Sequence, residues 1–272
     1  MALEDVKVND TQVRRSRGKE RLARIYQAVA MAGIDPIRFV HAMRGLPAFF
    51  RDWRTYSRQD HEGFPLSVAT AFPCLADRTA EAGTVGGHYF HMDLWAARKV
   101  AERRPARHVD VGSRLDGFVA HLLTIMPVDV VDVRPIRSEV AGLNFVQSDA
   151  TQMAEFASDS LPSLSCLHAA EHFGLGRYSD PVDAGAPFRL MAALTRVLAP
   201  GGRLLFAVPV GRQRLEFNAH RIFWPETVIA GFATLELVSF SYVDDSGALV
   251  ENVSPAEARD CSYGCGLFEF SK

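Results

Sequence analysis

The chain contains no run of about 20 apolar residues, the length a membrane-spanning helix needs. Its first residues, Met1 to Asn9, are mixed and acidic rather than signal-like, so a cytoplasmic location without membrane attachment is expected. An excess of one charge is also missing: the net charge of −2 creates no overall field for nucleic acid. Cysteine is scarce. Of Cys74, Cys166, Cys261 and Cys265, only the last two are near each other, and their spacing lacks a second Cys/His pair. They read as reduced structural thiols, and no metal site is assigned.

What the chain does have is core material. Hydrophobic residues make up 48% and charged residues 23% of 272 positions, enough for one large α/β domain and an appendage. The appendage comes first. Leu22, Ile25, Tyr26, Val29 and Ala30 form a helical stripe within residues 12–32, whose basic positions Arg14, Arg15, Arg17, Lys19, Arg21 and Arg24 read as a solvated face or a phosphate contact. A second helix is expected from Pro36 to about Gly45-Leu46-Pro47, followed by Phe49, Phe50, Trp53 and Tyr56 interleaved with arginines. No strand alternation occurs here, so residues 1–83 are expected to form a helical cap, with core packing favoured over base stacking for its aromatics. Gly83 to His91 marks the boundary, and residues 84–272 the main domain.

From Met92 onward helices and strands alternate. Strands are expected at 107–111, 128–132, 143–147, 164–168, 203–209 and 235–243. Helices are expected at 115–125, near 151–157, at 187–198 and at 225–232. This spacing predicts right-handed crossovers and a doubly covered, mostly parallel sheet. The last apolar stretch, Gly266 to Phe270, follows a turn at Asp244-Asp245-Ser246-Gly247 and is free to pair antiparallel.

In such a sheet ligands lie at the carboxyl ends of the strands, and here those ends are polar. The first strand ends at Asp110-x-Gly112 and runs directly into the pattern Phe118, Leu122, Leu123, Met126. Glycine there permits close backbone approach, and a helix N-terminus offers free N–H groups. Asp132 follows Asp110 by 22 positions, about the spacing at which an acid reaches ribose hydroxyls, and Asp149 is placed to accept from an exocyclic adenine amine. Capping or solvated strand-end roles are the alternative for each aspartate.

Taken together, Val109-Asp110-Val111-Gly112, Asp132, Asp149-Ala150, Leu167-His168-Ala169-Ala170-Glu171-His172 and Leu198-Ala199-Pro200-Gly201-Gly202 resemble the motifs of class I S-adenosylmethionine-dependent methyltransferases across about residues 84–272. The longer stretches Gly-Ser-Arg-Leu-Asp-Gly-Phe, Glu-His-Phe-Gly-Leu-Gly-Arg-Tyr-Ser-Asp-Pro and Phe-Asn-Ala-His-Arg-Ile-Phe resemble an uncharacterised bacterial methyltransferase-like domain of unknown function, whose members often look like sugar-modifying enzymes. The resemblance implies a Rossmann-like, doubly wound sheet with its last strand antiparallel. It implies S-adenosylmethionine as cofactor and S-adenosylhomocysteine as product, held by Asp110, Gly112, Ser113, Asp116, Asp132, Val133, Asp149, Ala150 and His168. One departure stands out, since Gly-x-Gly-x-Gly becomes Gly112-x-Arg114-x-Asp116.

Methyl transfer to oxygen needs a positioned acceptor and a proton acceptor. His172 is the first choice for the base, with Glu171 and His220 as further candidates. Tyr89, His91, Arg177, Tyr178 and Arg221 are candidates for holding the substrate. Asp180 and Asp183 could ligate magnesium but fit a capped loop better. The expected activity is O-methylation of a small polar acceptor, a sugar or nucleotide-linked sugar. Two alternatives stay open: a catalytically silent Rossmann-like binding module and an RNA methyltransferase. Oligomeric state is not fixed by sequence, and a homodimer is allowed.

Overall fold

The computed structural model describes residues 35–59, 63–79, 83, 85–178 and 180–272. The helix expected over 12–32 lies outside them. The chain divides into two compact units, Met1–Thr84 and Val85–Lys272. In the first, helix α1 spans Pro36–Tyr56 and runs straight through Pro47, past the expected stop. Gly45 is explained by packing rather than termination, because a Cβ there would collide with the Leu75 carbonyl. The aromatics from Phe49 to Tyr56 therefore extend one helix.

The second unit opens with α2 (Gly87–Arg103), which starts five residues before the expected Met92. Its buried positions Met92, Trp95, Ala96 and Val100 share one helical face. Then follow β1 (Val109–Val111), β2 (Val128–Asp132), β3 (Leu143–Gln147), β4 (Leu161–Leu167), helix α3 (Ala186–Val197) and β5 (Leu198–Val210). A two-stranded hairpin, β6 (Arg214–Glu216) with β7 (His220–Ile222), precedes α4 (Pro225–Gly231). The chain ends with β8 (Glu236–Val243), β9 (Leu249–Val250) and β10 (Gly264–Ser271).

The eight-stranded sheet has the order β3-β2-β1-β4-β5-β10-β8-β9. Strands β1 to β5 pair in parallel, and β10 lies antiparallel between β5 and β8. This is a Rossmann-like, doubly wound α/β sheet with its last strand reversed. The chain builds outward from β1 through β2 and β3, then returns to lay β4 on the other side of β1. The crevice between β1 and β4 is thus the topological switch point, where the two connections diverge and leave room for a ligand.

Two cores cover the sheet, and the two-residue period of the strands divides them. On β5, Leu204, Phe206 and Val208 face α3 and α4, whereas Leu205 and Ala207 face α2. Gly201 and Gly202 fall within β5 rather than before it; residues 199–202 bulge out opposite the single residue Pro162, between the Leu161–Leu198 and Ser163–Arg203 pairs. Two local expectations fail. Residues 151–157 form turns, since Asp149 caps the segment with bonds to Thr151 and Gln152, and Met153 takes φ +47°. The helix after β1 is a π-helical turn, Leu115–Val119, followed by one α-turn, Ala120–Leu122. His220 and Arg221 lie on the hairpin strand β7.

Glu269 on β10 ties the α2 layer to the sheet. It is 5% exposed and accepts from Lys99 at 2.9 Å and from Ser239 Oγ at 3.0 Å, with Arg203 at 3.4 Å. Burial alone would raise its pKa, but Lys99 and Ser239 hold the carboxyl below its ordinary range. A depressed carboxylate stabilises the fold above its unfolded pKa, and that contribution is lost as pH falls through the folded value. Glu269→Gln should therefore unfold at lower denaturant than wild type at pH 7, with the gap narrowing below about pH 4.5, the ordinary value of the group.

Candidate active site

A buried polar chain fixes the turn after β1. Asp110 is fully buried and accepts from Ser113 N–H at 3.1 Å, from Ser113 Oγ at 2.6 Å and from Ser165 Oγ at 2.5 Å. Ser113 Oγ in turn accepts the Leu167 N–H at 3.1 Å, which joins the turn to the end of β4. His108 completes the chain at 2.8 Å from Ser163 Oγ and 3.0 Å from Ser165 Oγ. Burial lowers its pKa to about 3, so the ring is neutral. Since Ser165 donates to Asp110, the consistent tautomer has His108 Nε2–H donating to Ser165 and Nδ1 accepting from Ser163. Burial also raises the Asp110 pKa to about 6 against the pull of these three donors.

Beyond this anchor, Gly112 adopts φ +69°, and a Cβ there would meet Ala169 Cβ at 3.1 Å. Gly117 packs against Asp93 of α2 so closely that any Cβ would strike its carboxylate. Asp93 is itself buried, with Oδ1 lacking a hydrogen-bond partner among the described residues, and burial raises its pKa to about 6.

Two cavities open at the carboxyl ends of β1 to β4 and meet at Gly112, Asp132, Arg134, His168, His172 and Tyr178. The smaller, about 330 Å³, is lined also by Val133, Asp149, Ala150 and Phe173. The larger, about 740 Å³, reaches Tyr89, Ser113, Arg114, Asp116, Arg177 and His220. Most of the residues singled out in the sequence thus converge on one crevice. Three do not reach it. Asp110 lies beneath the turn and holds it from behind. His91 lines neither cavity and packs edge-on to Phe90 at 5.4 Å. Arg221 donates to the Phe173 carbonyl at 2.6 Å and so braces the loop after β4.

Within the crevice several polar groups are already engaged. Arg134 forks onto Asp132, Nε to Oδ1 at 3.0 Å and Nη2 to Oδ2 at 2.7 Å, and lies over the Tyr178 ring at 4.4 Å. Asp149 Oδ1 accepts from the Thr151 N–H and hydroxyl, while Oδ2 has only Gln152 at 3.2 Å. Arg114 pairs with exposed Asp116 at 2.8 Å and covers Tyr89 at 4.6 Å, so the two side chains neutralise each other at the cavity mouth. Asp180 and Asp183 cap backbone N–H groups at Gly174 and Gly185, as expected of a capped loop.

The wall after β4 is dominated by imidazoles. Glu171 is 1% exposed; its Oε1 is 3.0 Å from His168 Nδ1 and 3.6 Å from His172 Nε2, and its Oε2 has no hydrogen-bond partner among the described residues. Burial would raise this carboxyl, but His168 beside it holds the pKa down. His172 places Nδ1 2.6 Å from the Ala219 carbonyl, and burial lowers its pKa. A neutral His172 therefore donates through Nδ1 and keeps the lone pair on Nε2. His168, in a left-handed conformation at φ +53°, sets Nε2 3.1 Å from Cys265 Sγ, and His88 lies against it at 5.3 Å between ring centres. His88 did not stand out in the sequence and Cys265 read there as a structural thiol, because the three residues come from α2, the end of β4 and β10. Period-two alternation on β10, which turns Cys265 toward the α2 face, was the signal available.

The family model described as Caenorhabditis protein of unknown function, DUF268, matches residues 115–256, just over half of the chain. The chain belongs to this family. The DUF268 match runs from the π-helical turn to the segment before β10 and so spans most of the crevice. No curated protein matches the sequence. Among solved structures, the N-methyltransferase NodS from Bradyrhizobium japonicum, in complex with S-adenosyl-L-homocysteine, is 16% identical, with a TM-score of 0.47 over 68% of this chain and 88% of that one. A Burkholderia thailandensis 1,6-didemethyltoxoflavin-N1-methyltransferase is 15% identical, with a TM-score of 0.48 over 88% of this chain and 91% of that one. The [4+2]-cyclase SpnF is also 15% identical, with a TM-score of 0.48 over 66% and 81%.

Because the folded pKa of Asp110 lies above its unfolded value, its stabilising contribution is complete below about pH 3.8 and declines as pH rises through about 6. Asp110→Asn does not titrate. The stability of wild type relative to this variant should fall between pH 4 and pH 7 by on the order of 2–3 kcal/mol, read from denaturant midpoints at each pH.

Proposed function

We propose that this DUF268 chain is an S-adenosylmethionine-dependent O-methyltransferase whose acceptor is a small polar molecule, a sugar or nucleotide-linked sugar. The observation that carries the proposal is the pair of cavities meeting at Gly112 and His172, with room for a nucleoside in one and an acceptor in the other. The smaller cavity fits the cofactor. Gly112 leaves space that any side chain would fill, Val133 and Ala150 offer apolar walls, and Asp132 and Asp149 edge the slot. Ser113 and His168 border the same turn. For Asp132 to accept ribose hydroxyls, Arg134 must release its fork, which its half-exposed side chain is free to do. Bound there, the cofactor supplies an electrophilic methyl group.

The chain's own residues provide the rest. His172 Nε2, where the cavities meet, takes the acceptor's proton, and buried Glu171 stabilises the imidazolium that results. Arg177, Arg114 and Tyr178 line the larger cavity and suit a phosphate-bearing or hydroxyl-rich acceptor, with Tyr89 and His220 completing its wall. In this proposal residues 1–83 are a helical acceptor region and residues 84–272 the catalytic domain. No helix among the described residues is long and apolar enough to cross a membrane, in keeping with an acceptor in solution. The rival reading, a catalytically silent module, draws on the Arg134–Asp132 pair, which occupies the proposed ribose site.

Differential scanning fluorimetry separates the two, since a ligand that binds only the native state raises Tm. S-adenosylmethionine should raise Tm, and Asp132→Ala should weaken binding at least tenfold, on the order of losing a charge-assisted bond pair. No shift at millimolar cofactor would sink the enzyme reading. Separately, His172→Ala should lower kcat by about 10²–10⁴ while the cofactor Kd, measured by calorimetry, stays unchanged. Unchanged turnover would remove His172 from the base role.

A further inference from the structure

We infer that His88, His168 and Cys265 form a binding site for a zinc-type divalent cation, with its fourth position open to the larger cavity. One ligand atom from each of the three residues lies within 4.8 Å of the others. Each comes from a different element: His88 from the first turn of α2, His168 from the end of β4 and Cys265 from β10. The sheet and its covering helix therefore assemble the set, which no sequence motif could display.

The partners around the ligands are those a metal site needs. A ligating imidazole usually donates its outer N–H to a carboxylate or a backbone carbonyl, which fixes the tautomer and turns the other nitrogen toward the metal. Both imidazoles are held in this way. His168 Nδ1 lies 3.0 Å from Glu171 Oε1, leaving Nε2 facing Cys265 Sγ at 3.1 Å. His88 Nε2 lies 3.1 Å from the Tyr263 carbonyl, leaving Nδ1 as its lone-pair nitrogen. Buried Glu171 brings a negative charge to the second layer, and its unpartnered Oε2 leaves that charge only partly satisfied.

Size and chemistry select the ion. Ligand separations in a tetrahedral N₂S site are about 3.3–3.8 Å, from metal–ligand bonds of about 2.0–2.3 Å. The Nε2–Sγ pair is slightly tighter than this and the whole set slightly wider, so a small adjustment of half-buried His88, just after Gly87 at φ +78°, completes it. One thiolate and two imidazoles favour zinc over magnesium or calcium, which take oxygen ligands. Binding replaces the thiol proton of Cys265, which is released. Cys265 is fully buried, whereas His168 also lines the larger cavity. Three protein ligands and an open position are the arrangement of a catalytic zinc, which there would bind a water or acceptor hydroxyl and lower its pKa.

Cobalt(II) titration of the chelator-stripped, full-length protein tests this without recourse to methyl transfer, so its outcome is separate from that of the proposed activity. One equivalent of cobalt should produce thiolate-to-cobalt charge-transfer absorption, and zinc should abolish it by competition. Cys265→Ser should remove the band. His88→Ala, a change at a half-buried surface position, should keep the native circular dichroism and weaken cobalt binding at least tenfold, and Glu171→Gln should retain the band with affinity about 10–100-fold lower. Azide should shift the visible cobalt bands if the fourth position is open. A saturated protein without a thiolate band overturns the site, as does a band that survives Cys265→Ser or an affinity indifferent to His88→Ala. A spectrum blind to azide overturns the open position.

Discussion

The crevice depends on one buried carboxylate. Asp110 gathers three donors, two from Ser113 and one from Ser165, and through Ser113 it reaches the Leu167 N–H at the tip of β4. A buried carboxylate without such donors would cost several kcal/mol; with them it becomes a rigid tie between the two strands that flank the switch point. The tie keeps Gly112 in its left-handed conformation against Ala169 and so sets the floor shared by the two cavities. His108 extends the chain one hydroxyl further and stays neutral, which spares the core a second buried charge.

Much of this architecture was legible in residue order. Alternating apolar strands and amphipathic helices implied the parallel sheet, and the final apolar stretch pairs antiparallel on both sides. Polar residues where strands stop pointed to the crevice, because strand ends at a switch point are exposed to whatever binds there. Pairings between side chains were not legible. The Arg134 fork on Asp132 and the Thr151 bonds to Asp149 are local in sequence, yet spacing favoured a ligand for those carboxylates and left capping as an unspecified alternative. Pro47 within α1 and the turns at 151–157 show the same limit for secondary structure, since tertiary packing and side-chain capping override propensity there. Longer-range assembly was further out of reach: His88 and Cys265 meet His168 only after the sheet forms.

The electrostatics of the crevice are uneven in a way that composition hides. A chain of net charge −2 concentrates Arg114, Arg134 and Arg177 around one cavity, and two of the three are occupied by neighbouring aspartates. Among the imidazoles, His88 and His172 are kept toward the neutral form by burial, while His168 is raised well above its ordinary range because Cys265 and Glu171 outweigh its burial. Neighbouring rings thus hold their protons differently. That difference suits His172 to accept a proton.

The substituted glycine turn fits the same logic. A backbone that lies close to a ligand needs glycine where the ligand presses, and at Gly112 the restriction is steric and direct. At positions 114 and 116 the chain instead turns through a π-helical segment, a geometry that widens the helix by one residue and is common beside functional sites. The turn buries Phe118 and Val119, while Asp116 and the N-cap Arg114 stay exposed and pair with each other, and Arg114 covers Tyr89. The second close approach passes to Gly117, whose missing side chain admits the Asp93 carboxylate. The missing side chain of Gly117 thus serves the buried side of the turn, while Gly112 borders the two cavities. What distinguishes this turn is the layer against which its backbone packs, α2 as well as the cavity, and α2 is also the element that brings Tyr89 to the larger cavity's wall and His88 against His168.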